Sequence, residues 1–424
     1  MTISEIIKYI NAGKLDDRLS FLYGDNAITS QKERYLQVLD RAKKILGDVE
    51  AILFSAPGRT EVGGNHTDHQ LGAVVAASID LDVIAVVTKQ ESNIVEYYAD
   101  GFDVHPVDLS DLTIHENEKN TTEALIRGIA AGFQKQEYNY GGFKAYAQSN
   151  VLSGGGMSSS AAFEVLIGTI FNALYNEYMI TSVDIAKIGQ FAENQYFMKA
   201  SGLLDQMACS IGSFAAMDFK NPKNPEVESI PFNPMDYGYQ LILTDVKASH
   251  SDLSDEYSAI PYEMKSVAKL FGKEVVSELT LDQLVMNVHQ IRTELGDRPF
   301  LRAYHFLNET HRAKLQAQAL KDKDIATFLK LVKESGQSSY MYLQNVLNPT
   351  DHQNQALGVA LALSQMVLKD DGAYRVHGGG FAGTIQAYVP VKKVQEYIQT
   401  MESSFGKDCC YILRIRPCGG VKVI

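Results

Sequence analysis

Five polar side chains stand close together early in the chain. The stretch from Ala56 to Gly72 reads APGRTEVGGNHTDHQLG, and Arg59, Asn65, His66, Asp68 and His69 fall within eleven residues of it. Donors and acceptors at that density suit a polyhydroxylated ligand, because each can exchange a hydrogen bond with a hydroxyl. His66, Asp68 and His69 could instead ligate a metal. No HExxH accompanies them, and no third and fourth ligand is evident.

A second segment has phosphate chemistry. Ser153, Gly154, Gly155, Gly156, Met157, Ser158, Ser159 and Ser160 directly precede a run in which Phe163, Leu166, Ile167, Ile170, Phe171 and Leu174 recur at helical spacing. Glycines let backbone approach a ligand closely, and a helix start offers unpaired N–H groups and partial positive charge. Together these make an anion site fit for ATP phosphates, with serine hydroxyls for phosphate or Mg²⁺. A flexible connection with a serine cap is the simpler alternative. No GxxxxGK[ST] occurs, so this loop carries no lysine.

The third segment, Gly378-Gly379-Gly380-Phe381-Ala382-Gly383, matches GxGxxG formally. A dinucleotide fingerprint should follow a strand and open a helix. This one leads into the strand-like Thr384–Val389. A loop beside substrate or phosphate fits better than a dehydrogenase motif, with a tight structural turn as the alternative.

The elements that must position these segments follow from periodicity. The first ~45 residues read as helical. Strands are expected at Ala51–Ser55, Val74–Thr88 (one or two), Ile94–Ala99, Phe143–Gln148, Ser213–Phe219, Gln240–Asp245, Thr384–Val389 and Cys409–Arg416. Ala56–Leu71 reads as a loop, and Lys220–Pro234 as a turn or domain edge. Helices are expected at Thr122–Gln134, after Ser160, at Asp184–Lys199, over most of 255–369, and at Val391–Phe405. Strands and helices mix without regular alternation, so the fold class is α+β.

The chain has 424 residues, too many for one ordinary core, and 45% hydrophobic with 21% charged residues is ordinary for a globular protein. A formal charge of -12 argues against a nucleic-acid partner and requires any phosphate site to be built locally. No apolar run reaches the ~20 residues needed to span a bilayer. The start lacks a signal-peptide core, so no membrane association and a cytoplasmic location are expected. Cys209, Cys409, Cys410 and Cys418 form no CxxC pair and read as buried free thiols. Cys409 and Cys410 are expected on opposite faces of a strand.

In this order and spacing, the three segments resemble the galactokinase branch of the GHMP small-molecule kinases. PGR followed by HTD resembles that branch's signature, GGGMSSSAA the phosphate loop, and GGGFAG the C-terminal glycine motif. Ala192-Glu193-Asn194, Gly202-Leu203-Leu204-Asp205-Gln206 and the segment from His250 to Tyr257 resemble further family positions. The resemblance implies a two-lobed α+β fold. A ribosomal-protein-S5-like mixed lobe would span 1–235, and a C-terminal α+β lobe 236–424.

The implied activity is ATP-dependent phosphorylation of galactose at its C1 hydroxyl, giving galactose 1-phosphate. ATP and Mg²⁺ would be required, and no obligate protein partner is evident. By resemblance, Asp205 and Arg59 are the catalytic pair, and Ser159 and Glu193 lie with Mg²⁺. Gly154, Gly155, Gly156, Met157, Ser158, Ser159 and Ser160 hold ATP. Asn65, His66, Asp68, Gly202 and Tyr257 hold the sugar, and Gly378, Gly379, Gly380 and Gly383 form the C-terminal glycine loop.

Four positions depart from the family. Asn65 stands for a usual Glu that contacts the sugar's C6 hydroxyl, His69 for a Tyr, and Ala382 for a Gly. Arginines usual after the Tyr257 position are missing. Asn65 opens the alternative of a related sugar such as galacturonate, N-acetylgalactosamine or arabinose. A non-catalytic sugar and ATP sensor on the same fold is a further alternative. A mevalonate or homoserine kinase is disfavoured by the HTD signature.

Overall fold

The computed structural model describes residues 1–151, 156–199, 201–222, 224–248 and 253–424. Three helices open the chain: α1 (Ile3–Asn11), α2 (Asp16–Tyr23) and α3 (Ile28–Leu46). Thr2 and Glu5 close a reciprocal cap on α1, so the first helix starts at a defined residue.

The first sheet is built from β1 (Ile52–Gly63), β2 (Ala73–Lys89), β3 (Ile94–Ala99), β4 (Val107–Asp108), β5 (Phe143–Ser149), β6 (Phe214–Asp218), β7 (Glu226–Ile230) and a late strand, β12 (Val421–Lys422). Its order is β12-β1-β2-β5-β3-β4, with β6 and β7 continuing from the other end of β2. The long β2 pairs with β1, β5 and β6, and its apolar residues face both sides of the sheet. Val75, Ala77, Val83, Ala85 and Val87 enter the main core, while Ile84 and Val86 face the N-terminal helices. Helices α4 (Thr122–Lys135), α5 (Ser159–Tyr175), α6 (Ser182–Gln195) and α7 (Leu204–Ile211) complete this part.

The second sheet has order β11-β8-β10-β9, from β8 (Tyr239–Asp245), β9 (Ala373–His377), β10 (Thr384–Pro390) and β11 (Cys410–Leu413). Helices α8 (Ser254–Leu270), α9 (Leu281–Met286), α10 (Val288–Glu294), α11 (Asp297–Lys321), α12 (Ile325–Ser338), α13 (Ala356–Leu368) and α14 (Val394–Phe405) accompany it. Among the described residues, no helix is long and apolar enough to cross a membrane.

The expected loop at Ala56–Leu71 is half strand. β1 continues through Pro57, Arg59, Thr60 and Glu61 to Gly63, paired to β2 with irregularities at Pro57/Arg59 and Glu61/Gly63. Its polar residues hide the strand pattern because they find buried partners. Thr60 Oγ1 meets His377 Nε2 at 3.1 Å, and Arg375 Nη2 meets Glu61 Oε1 at 3.1 Å. Four strands were not anticipated: exposed β7, the two-residue β4 and β12, and β9. Cys409 precedes β11, and its sulfur lies 3.9 Å from that of Cys410, so the two do not face opposite ways. Cys209 and Cys409 are buried, whereas Cys410 and Cys418 are half-buried.

Two buried polar clusters tie distant segments together. Asp82 accepts from Arg34 Nη1 at 2.7 Å, Arg416 Nη1 at 2.9 Å, Tyr23 at 2.6 Å, and the Ser55 hydroxyl. It thereby joins α2, α3, β1 and the C-terminal segment. Helix α11 docks against β1 and the following loop. There, Glu309 accepts from the Gly64 N–H at 3.0 Å, and His305 Nε2 donates to the Asn65 carbonyl at 2.9 Å.

Candidate functional site

Strand β1 brings Arg59 in from one side, and the start of α7 brings Asp205 from the other. Arg59 donates to one carboxylate oxygen of Asp205 through Nε at 2.8 Å and Nη2 at 2.7 Å. Its Nη1 donates to the Gly156 carbonyl, and its N–H to the Met157 carbonyl at 3.2 Å. The second oxygen of Asp205 accepts from the Ser158 hydroxyl. Ser158 holds a left-handed backbone conformation, φ 56°, just before α5, which turns its side chain out of the helix path. Sequence reading had grouped Ser158 with the phosphate loop; the structure adds its direct bond to Asp205.

Asp205 is one-third exposed in its side chain, while Arg59 is 8% exposed. Burial alone would raise the Asp205 carboxyl. The Arg59 charge, with hydrogen bonds from Ser158 and Arg59, outweighs that and holds it below the usual carboxylate range. Asp205 is therefore ionised and a weak base.

Asp68 lies beside this pair. A Cβ at Gly202 would sit 1.8 Å from Asp68 Oδ2, so only glycine lets the α7 approach pass so close to that carboxylate. Burial, and then the Asp205 charge, push Asp68 up to about 6. The loop after β9 completes this side. His66 Nε2 donates to the Gly379 carbonyl at 3.0 Å, and the Tyr257 hydroxyl to the Gly380 carbonyl at 2.8 Å. Gly380 has φ 85°, and a Cβ there would meet the Asn345 carbonyl at 2.1 Å. Loop 378–383 is thus held against Tyr257, His66 and Asn345.

Asn65 is placed differently from the expectation for a sugar contact. Its side chain is fully buried, and its amide donates to Glu61 Oε1 and the Gly378 carbonyl, both at 2.8 Å. Its oxygen accepts from Asn345 at 2.8 Å and Ser339 at 3.2 Å. Ser339 opens a π-helical turn, Ser339–Leu343, that delivers it there. All four hydrogen-bonding positions of the amide are spent on protein, leaving none for a ligand in this arrangement.

Behind Asp205 lies a carboxylate cluster that the sequence reading only half identified. Glu193 is 2% exposed. Its Oε1 accepts from Ser160 at 3.0 Å and Lys199 at 2.8 Å, and its Oε2 from Gln206 Nε2 at 2.8 Å. The same Gln206 nitrogen reaches Glu164 Oε2 at 2.9 Å. Burial, and then the Glu193 charge, push Glu164 well above its ordinary range, so it is held neutral. Glu164 was missed because it sits within the apolar stripe of α5. The helix expected over Asp184–Lys199 ends at Gln195. The chain then turns, with Met198 at φ 65° and the Lys199 N–H on the Glu193 carbonyl at 3.1 Å.

A cavity of about 530 Å³ opens next to Ser159 and Ser160, lined also by Tyr97, Phe102, Leu125, Gln148, Phe163 and Phe197. Apolar and aromatic walls with a few polar groups suit a flat heterocycle, and the serine end of the cavity suits its phosphates. Of the remaining expected site residues, Gly156, Met157 and Gly383 fall on the described loops. Gly154 and Gly155 lie outside the described residues, as does His250. Among the described residues, no group of three or more His, Cys, Asp and Glu could hold a metal ion.

Residues 124–213 match the GHMP kinases N terminal domain, and residues 43–89 the galactokinase galactose-binding signature. The chain is 26% identical over 356 residues to the galactokinase of Actinobacillus pleuropneumoniae serotype 3, covering 83% of this chain and 89% of that one. It is equally similar, 26% over 357 residues, to the galactokinase of Glaesserella parasuis serovar 5, with the same coverage of 83% and 89%. In fold it is similar to Lactococcus lactis galactokinase complexed with galactose, with a TM-score of 0.77 at 21% identity over 92% of this chain and 100% of that one. Methanococcus jannaschii mevalonate kinase follows the same fold less closely, with a TM-score of 0.60 at 14% identity over 86% and 98% of the two chains.

Proposed function

We propose that this chain, a GHMP kinase of the galactokinase branch, transfers the terminal phosphoryl group of ATP to the C1 hydroxyl of galactose. The observation that carries this reading is the meeting of Arg59, Asp205 and Ser158, with Ser158 directly before Ser159 and Ser160, which line the cavity. The nucleoside occupies the cavity, and its phosphates lie along the serine-glycine loop at the start of α5. Galactose lies beside Asp68, Gly202, His66 and Tyr257.

The C1 oxygen attacks the terminal phosphorus, the bond to the ADP oxygen breaks, and the C1 proton passes to Asp205. Because Arg59 keeps Asp205 weakly basic, Asp205 orients the hydroxyl first and accepts the proton late. A loose phosphoryl-transfer transition state requires positioning more than early deprotonation. Arg59 fixes the Asp205 carboxylate and adds positive charge beside the transferring group.

ATP arrives as its magnesium complex. Glu193 and the Ser159 hydroxyl are the hard oxygen donors that would hold that ion, the Glu193 carboxylate becoming open to it where the Lys199 ammonium moves off its Oε1. The ion would neutralise charge on the phosphates.

The decisive experiment incubates the protein with ATP, magnesium and one sugar at a time, following ADP release and the sugar phosphate by ³¹P NMR. Galactose is expected to give the highest kcat/KM among galactose, fucose, arabinose, galacturonate and N-acetylgalactosamine. If galactose is the poorest, the substrate assignment fails. If ATP binds and no sugar turns over, the chain is a sensor and not a kinase.

Asp68 gives this reading a pH signature. Its ionised form accepts from sugar hydroxyls and predominates above about 6. Since kcat/KM reports the free enzyme, it is expected to rise through pH about 6 and then level, while Asp205 stays ionised throughout. D68N should be slower and lack that limb. A wild-type profile flat down to about pH 5 removes Asp68 from the sugar site.

A further inference from the structure

We propose that Lys199 is the cation that grips the terminal phosphates of ATP, supplying from another segment the lysine that the serine-glycine loop lacks. The proposal rests on the phosphoryl-transfer reading above.

A triphosphate needs local positive charge in a chain of formal charge -12. Arg59 cannot supply it freely. Its Nε and Nη2 are spent on Asp205 and its Nη1 on the Gly156 carbonyl. Lys199 is placed to do so. Its ammonium bonds Glu193 Oε1 at 2.8 Å, and that same oxygen takes the Ser160 hydroxyl at 3.0 Å, so the ammonium stands at the first turn of α5 where the cavity ends.

The two ends of this ion pair differ in freedom. Glu193 is 2% exposed and fixed by Gln206 and Ser160, whereas the Lys199 side chain is 55% exposed. The turn after α6 presents the lysine root beside Glu193, and the stem can swing without disturbing the backbone. An ammonium has three donors, of which Glu193 uses one. The remaining donors are open to the phosphates of a ligand seated at Ser159 and Ser160.

The alternative is that Lys199 serves only as countercharge to Glu193. The two roles separate by phosphate number. Calorimetric titration of the full chain with ATP, ADP and AMP is run on wild type, K199M and K199R, alongside the galactose assay. K199M is expected to weaken ATP by roughly ten- to a hundredfold, the range for a charge-assisted hydrogen bond, and AMP by less than about twofold. KM for galactose should be unchanged, and K199R should recover most of the ATP affinity. AMP binding also reports that K199M is folded. Equal weakening of ATP and AMP, or no weakening of either, overturns the proposal. Wild type that fails to bind ATP overturns the kinase reading itself, whatever the variants do.

Discussion

Asp205→Asn is expected to lower kcat by roughly 10²–10⁴, the range for a positioned proton acceptor, while galactose and ATP still bind. Asparagine keeps the size of the side chain and a carbonyl for Arg59. It loses the charge that balances Arg59 and the oxygen able to take the C1 proton. Steady-state kinetics with separate calorimetric binding would resolve the two effects. The fold should persist, because the site residue is one-third exposed and its helix is held by Leu204, Met207 and Ala208 in the core. Unchanged turnover in this variant would remove Asp205 from the chemistry.

Asp82→Asn is expected to cost about 3–5 kcal/mol of stability, the range for breaking a buried ion pair from one side. The Arg416 side chain is wholly buried and that of Arg34 nearly so, and both would lose their shared counter-ion. Urea unfolding followed by circular dichroism measures this; intrinsic fluorescence has no tryptophan to report. A loss under about 1 kcal/mol would mean that the two arginines find other partners.

The same site has a pH signature of defined sign. Burial alone would raise Asp82, but Arg34 and Arg416 outweigh it and hold its folded value below the ordinary one. Its stabilisation is thus complete above the unfolded carboxylate value of about 3.9 and is lost as pH falls through the folded value. Asp80 and Asp68, pushed up to about 6, act oppositely and cost stability as pH rises from about 4 to 6. The difference between wild type and D82N isolates the first effect and should shrink in acid.

Arg59 stood out in the sequence by its polar surroundings and Asp205 and Glu193 by resemblance to family motifs, and the structure brings Arg59 and Asp205 into contact. The strand that carries Arg59 was not. A strand whose buried positions hold Arg59, Thr60 and Glu61 reads as a loop until His377 and Arg375, more than three hundred residues away, are known to face it. Asn65 was legible as a departure from the family motif it resembles but not in its consequence, since three of its four partners, Ser339, Asn345 and Gly378, lie on two distant segments. Lys199 and Glu164 were hidden for opposite reasons: one resembles a solvated lysine, and the other lies in an apolar helix. The cavity was invisible because β3, β5, α4 and α5 each contribute two or three of its lining residues. β7 was lost to exposure, and β4 and β12 to brevity.

The late strand β12 has a consequence for synthesis on the ribosome. It covers the open edge of β1 through Phe54↔Lys422 and Ser55↔Val421, and Arg416 reaches Asp82 from the same segment. A nascent chain that has emerged only as far as β7 therefore carries an unpaired β-edge and a buried carboxylate short of one of its two arginines. The part that carries Arg59 and Asp205 is translated first, yet its sheet edge stays open until β12 has been made, a delay of tens of seconds at ordinary elongation rates. During that interval it depends on chaperones, or on its own solubility, to avoid pairing with a neighbour.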